Sequence, residues 1–170
     1  MSFDNVSTKS LYARLAINPS VIQQKDGILM SWLKSMMEKE PPEPTNPIGI
    51  IVIGTLDPDV HLTPKEMVRK SLVKAEFKCY DLGKKAPAGD FASKAKEVNA
   101  DIIAVSINTA PAKNNIPALM SAIEAAGLKG KVIIMIGGAA VDKDDADEIG
   151  ALFGETREEA VALAKKALGK

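Results

Sequence analysis

The chain has 170 residues, 46% of them hydrophobic and 26% charged, with 22 basic and 22 acidic side chains and no net charge. That composition describes a globular protein with room for one core of about 120 residues and an appendage. Balanced charge, the absence of a basic block and an aromatic content of 4% exclude a protein built to neutralise phosphates or stack bases.

The N-terminus carries Asp4 early and lacks an apolar signal region, which predicts a cytoplasmic protein. No apolar run approaches the roughly 20 residues of a membrane-spanning helix. Residues 1–40 read as a short helical segment. Leu29, Trp32, Leu33 and Met36 recur at three- and four-residue spacing, and Leu11, Tyr12 and Leu15 suggest a shorter helix before them. Pro19 separates the two. Residues 41–47, with prolines at 41, 42, 44 and 47, read as an extended linker.

From 48 to 170 the pattern alternates. Apolar runs at 48–54, 77–82, 101–106 and 131–136 predict strands, with a weaker one at 151–153. Amphipathic stretches at 64–76, 89–98, 113–126, 142–149 and 156–168 predict helices. Thr63-Pro64-Lys65-Glu66 reads as a capping box with proline in the first helical position, and Thr156-Arg157-Glu158-Glu159 as a second box. Gly127 reads as a helix stop. Asp142 reads as an N-cap, with Asp144, Asp145 and Asp147 in a solvated turn instead of a metal cluster. Cys79, the one cysteine, falls in a strand and reads as packing; it excludes a disulfide framework or a multi-cysteine zinc site.

Continuous apolar strands alternating with helices predict an α/β fold. We expect a doubly wound parallel five-stranded sheet in the flavodoxin-like order 2-1-3-4-5, with the short helical segment in front. In that order ligands bind at the carboxyl ends of strands one and three. The loops there hold residues 54–63 and 106–113; the loop after strand four adds Gly137-Gly138. The chain's single histidine, His61, lies in the first of these loops, two residues after Asp59. Ser106, Asn108 and Thr109 lie in the second.

A neutral imidazole is a common donor to transition metals, and a carboxylate on its other ring nitrogen fixes the tautomer. The glycine pair lets a flat or extended ligand approach the backbone. Neither G-x-G-x-x-G nor a P-loop is present. One histidine does not build a zinc cage, although carboxylates could complete one. A preformed metal macrocycle needs a single axial donor, which favours a corrin or haem-like group.

At this point the sequence resembles the cobalamin-binding domains of corrinoid methyl-transfer proteins, methionine synthase and adenosylcobalamin mutases. Their pattern is D-x-H-x-x-G, then S-x-L, then G-G. Asp59-Val60-His61-Leu62-Thr63-Pro64 matches with Pro64 in place of glycine, Ser106-Ile107-Asn108 with Asn108 in place of leucine, and Gly137-Gly138 in full. Tyr80-Asp81-Leu82-Gly83, Asn99-Ala100-Asp101-Ile102-Ile103 and Ala146-Asp147-Glu148-Ile149-Gly150 resemble the methyltransferase corrinoid proteins.

The resemblance implies cobalamin, with methylcobalamin as the working form, bound base-off and His-on. His61 would ligate the cobalt and Asp59 would accept its ring N–H. Ser106 would extend the relay. Leu62, Thr63, Asn108, Thr109, Gly137, Gly138, Phe153 and Gly154 would line the cofactor, whose displaced nucleotide tail would thread between sheet and helix. Asn108 could bond to that tail or to the corrin side chains.

The N-terminal segment would be a reduced cap, with Trp32, Met30, Met36 and Met37 available to it. The resemblance implies a methyl carrier between a methyl-donating and a methyl-accepting methyltransferase, served by a reductive activator. Competing readings are the small subunit of an adenosylcobalamin-dependent mutase, a cobalamin storage, delivery or sensing module, and a flavodoxin-like interaction domain without a corrin.

Overall fold

The computed structural model describes Lys34 and Met37–Lys170. The expected N-terminal helices, with Leu11, Tyr12, Leu15, Leu29, Met30, Trp32, Leu33 and Met36, lie outside the described residues. The boundary between the two units of the chain falls between Lys39 and Glu40.

The second unit follows the order β1 (Gly49–Thr55), α1 (Thr63–Lys74), β2 (Phe77–Asp81), α2 (Ala88–Val98), β3 (Ile102–Ser106), α3 (Ala110–Lys113), α4 (Ile116–Ala125), β4 (Ile133–Gly137), α5 (Lys143–Ile149), β5 (Leu152–Phe153) and α6 (Arg157–Ala167). The five strands form one sheet in the order β2-β1-β3-β4-β5, and every pairing is parallel.

The strands are apolar throughout because both faces are covered. Val52, Ile103, Val105, Ile134 and Ile136 face one way, against Phe91, Ala95, Leu119, Ile123 and Ala146 of α2, α4 and α5. The intervening Ile51, Ile53, Ile102, Ala104 and Met135 face the other way, against Leu72 of α1 and Ala160 and Ala164 of α6. Each buried isoleucine or leucine contributes roughly 1.5–3 kcal/mol relative to exposure. The period of two along each strand divides the residues between two cores, as a doubly wound sheet requires.

Three local expectations need correction. The helix expected at 113–126 is two, α3 and α4. Pro117 has no N–H for the carbonyl four residues back and is tolerated only in a first turn, so a new helix begins at Ile116. The capping box at Thr63 does not form. Leu62 is the N-cap, without a side-chain bond, and Pro64 follows Thr63 inside the first turn. In the box at Thr156, the hydroxyl accepts from Glu159 N (3.1 Å). The Glu159 carboxylate reaches past the cap to Glu155 N (3.0 Å).

The proline-rich stretch is tied down. Pro41 is buried, Glu40 holds Arg69 of α1 through two bonds (2.6 and 2.8 Å), and Glu43 pairs with Lys78 of β2. Residues 40–47 are therefore a strap on the domain.

Candidate functional site

The strand register assembles the site. Thr55 pairs with Ser106 and Ser106 with Gly137, so the last residues of β1, β3 and β4 stand side by side at the carboxyl edge. The loops leaving those positions carry Asp59-His61, Asn108-Thr109 and Gly138.

Asp59 is the hub. Its Oδ1 lies 2.9 Å from His61 N and 2.6 Å from His61 Nδ1. Its Oδ2 accepts from Asn108 N (2.7 Å) and from the Asn108 amide (3.0 Å). Burial pushes the Asp59 carboxyl up, but the bonds from His61 and Asn108 outweigh it and hold the group below its ordinary value. An ionised carboxylate has no proton to give, so Nδ1 of His61 is the donor.

The imidazole is thus oriented by a buried anion while its own side chain stays 57% exposed. Among the described residues, no hydrogen bond engages Nε2. Thr55, fully buried, adds a bond from its hydroxyl to the His61 carbonyl (3.2 Å). The neighbours Val60 and Leu62 are 52% and 39% exposed. An imidazole with one free nitrogen, between two exposed aliphatic side chains, fits the flat, largely apolar face of a macrocycle that lacks one axial donor.

Ser106 enters the network differently from the expected relay. Its hydroxyl bonds to the Asn108 amide (3.0 Å), not to Asp59. The four donors from His61 and Asn108 already fill the carboxylate. Asn108 also accepts from Ala139 N (3.3 Å). The residue expected near the nucleotide tail therefore joins the loops after β1, β3 and β4.

The glycine pair serves the protein's own backbone. A Cβ on Gly138, at φ +120°, would lie 2.3 Å from the Ile107 carbonyl oxygen, and one on Gly137 would lie 2.6 Å from that of Gly154. Thr109 caps α3, accepting from Ala112 N (3.4 Å). Thr63 opens α1. Phe153 pairs with Ile136 and packs half-buried against the core, with Gly154 beside it. Asp142 and Asp145 form a reciprocal capping box at α5. Burial pushes the Cys79 thiol up to about 12, which keeps it protonated.

Sequence reasoning missed Thr55, Asn115 and Lys65. Asn115 donates to the Asp57 carbonyl (2.6 Å) and braces the far side of the loop. Lys65 is buried and paired with the partly exposed Asp81 and Glu66. Its place one heptad before Leu72, on the apolar stripe of α1, was the available signal.

The B12 binding domain model matches residues 49–164. Trimethylamine corrinoid protein 1 of Methanosarcina mazei is 39% identical over 137 residues, covering 80% of this chain and 63% of that protein. Dimethylamine corrinoid protein 3 of the same organism is 41% identical over 125 residues, covering 71% and 73% respectively. The chain thus spans less than two thirds of the first relative's length.

Among solved structures, a cobalamin-binding protein from Desulfitobacterium hafniense superimposes with a TM-score of 0.66 at 27% identity, over 70% of this chain and 58% of that one. Among the described residues, no helix is long and apolar enough to cross a membrane. On the motif order, the sheet topology and these matches, the chain belongs to the B12-binding domain family, and its cofactor is a corrinoid.

Proposed function

We propose that this protein binds cobalamin base-off and His-on, with His61 as the lower axial ligand, and carries a methyl group between methyltransferases. The observation that carries the reading is the Asp59–His61 pair: a buried carboxylate holding Nδ1 at 2.6 Å and leaving Nε2 unengaged by the described residues, on an exposed imidazole. A bound corrinoid supplies a cobalt centre that accepts and releases the methyl group.

The protein's part is positional and electrostatic. Asp59 keeps the proton on Nδ1 and raises the donor strength of Nε2. Asn108 holds Asp59 in place and ionised, and Ser106 holds Asn108. Val60 and Leu62 would cover apolar corrin surface and keep water from the ligand bond. Leu62, Thr63, Ser106, Thr109, Gly137, Gly138, Phe153 and Gly154 are the residues proposed to hold the remainder of the cofactor.

The relatives' names point to a methylated amine as the source of the methyl group. The partners would be one methyltransferase that loads it, a second that removes it, and a reductive activator. The cell compartment would be the cytoplasm. Residues 1–40 would form the reduced cap and 41–47 the link to the binding domain at 48–170.

The test is direct. The purified chain is mixed with aquocobalamin, freed of unbound cofactor and reduced to the cob(II)alamin state. Electron paramagnetic resonance should show coupling to one nitrogen, and His61→Ala should abolish it. Retained cofactor with the same coupling in His61→Ala would overturn the axial assignment. Methyl transfer to a thiol by an added methyltransferase then tests the carrier role, and its absence with intact nitrogen coupling would favour a storage protein.

A further inference from the structure

Lys65 is buried where the sequence places a cap. Its side chain is 1% exposed, and Nζ lies 2.6 Å from Asp81 Oδ1, 2.5 Å from Asp81 Oδ2 and 2.5 Å from Glu66 Oε1. A buried ion pair rarely stabilises more than apolar packing of the same volume would. Its best-attested use is to select one arrangement over others.

The arrangement selected here borders the cofactor loop. Helix α1 begins without a side-chain cap, because Leu62 offers no acceptor. Pro64, in the same turn, contributes no N–H. A side-chain cap is therefore missing at the helix start, two residues after His61. Asp81 closes β2, in register with Ile53 of β1, so the Lys65 bond ties the first turn of α1 to the sheet. Arg69 adds a second layer. It bonds Glu66 Oε2 (2.9 and 3.1 Å) and lies 3.7 Å from Asp81 Oδ2.

The loop from Leu56 to Leu62 is thus held at one end by the β1 ladder and at the other by this cation. We infer that Lys65, clamped by Asp81 and Glu66, is a positioning residue that sets where the His61 imidazole stands. The part of the inference that concerns cobalt rests on the His-on reading. The part that concerns the loop does not.

The experiment therefore has two readouts on the full chain, for wild type, Lys65→Met, Lys65→Arg and Asp81→Asn. The first is amide hydrogen exchange of peptides covering 56–63 in the unloaded protein. The second is the nitrogen-coupled fraction of the cob(II)alamin spectrum after loading.

Lys65→Met is expected to speed exchange in 56–63 at least about tenfold while α6 and β4 keep their protection. It should also weaken cobalamin retention about tenfold, the range seen when groups supporting a metal ligand are removed. Lys65→Arg should restore both. If Lys65→Met fails to fold, Asp81→Asn, which leaves Glu66 as a partner, carries the same comparison.

Unchanged exchange in the loop, or equal acceleration throughout the domain, would overturn the clamp. Absence of nitrogen coupling in the wild type would instead overturn the His-on reading, and the exchange data would still decide the role of Lys65.

Discussion

Helices α5 and α6 and helix α1 start in different ways. Asp142 and Thr156 each fold back onto the backbone N–H three residues on, so α5 and α6 are anchored by their own first turns. Helix α1 has no such bond and is anchored across space by Lys65, Asp81 and Glu66. Helices α2 and α4 also start without a side-chain cap bond, but α1 is the uncapped helix that follows the His61 loop. A local cap fixes only the helix; a bond to a neighbouring strand fixes the helix relative to the sheet edge, which is the relation a metal-ligand loop depends on.

The glycines show the same contrast. Gly138 is required by the backbone of Ile107, in the loop after β3. Gly150 has φ +68° with open space around it and answers only to its own turn.

The largest expected effect of breaking a tertiary anchor is at Gly138. Gly138→Ala meets the Ile107 carbonyl at 2.3 Å in a backbone conformation that side chains disfavour. A loss above about 3 kcal/mol is expected, a large part of the ~5–15 kcal/mol typical of a domain. Urea unfolding measures it. Gly150→Ala, strained but unobstructed, should cost about 1–2 kcal/mol.

Next comes Lys65→Met, which leaves two carboxylates facing an apolar side chain. Fully buried pairs lose roughly 3–5 kcal/mol on such a change. Asp81 and Glu66 each keep about a third of their side chain in water (31% and 33%), so about 2–3 kcal/mol is expected.

Acid should dissolve the same clamp. Burial pushes Glu66 up, but Arg69 and Lys65 outweigh it and hold the carboxyl at about 2. The unfolded chain titrates it near ~4.3. A folded value below the unfolded one means that the contribution is complete above pH ~4.3 and is lost as pH falls toward about 2. Asp59, held below its ordinary value by His61 and Asn108 against the opposing effect of burial, acts in the same direction. Stability measured against pH should fall steeply over that window, and Glu66→Gln should flatten the fall.

The smallest effects belong to the local caps. Asp142→Ala and Thr156→Ala should each cost about 1 kcal/mol and leave exchange in 56–63 unchanged. A change there would show that the two kinds of anchor are not independent.

Much of the fold was legible because its signals are local. Alternation of apolar strands and amphipathic helices led to the 2-1-3-4-5 sheet, and the switch point of that order placed His61, Ser106 and Gly137 at one edge. Asp142 and Gly127 were readable for the same reason, since a cap and a stop act within one turn. Thr63 carried an equally good capping pattern that the structure does not use: Glu66 pairs instead with Lys65 and Arg69 on its own helix, and Lys65 reaches Asp81 of β2.

The sequence by itself therefore determined the order of elements, the two-faced core and the loops that form the site. Tertiary structure alone decided which donors fill Asp59, why Asn108 stands between it and Ser106, what the glycine pair makes room for, and that Lys65 is buried. Periodicity and capping depend on neighbours along the chain. Satisfying a carboxylate or burying a cation depends on partners that only strand register brings within 3 Å.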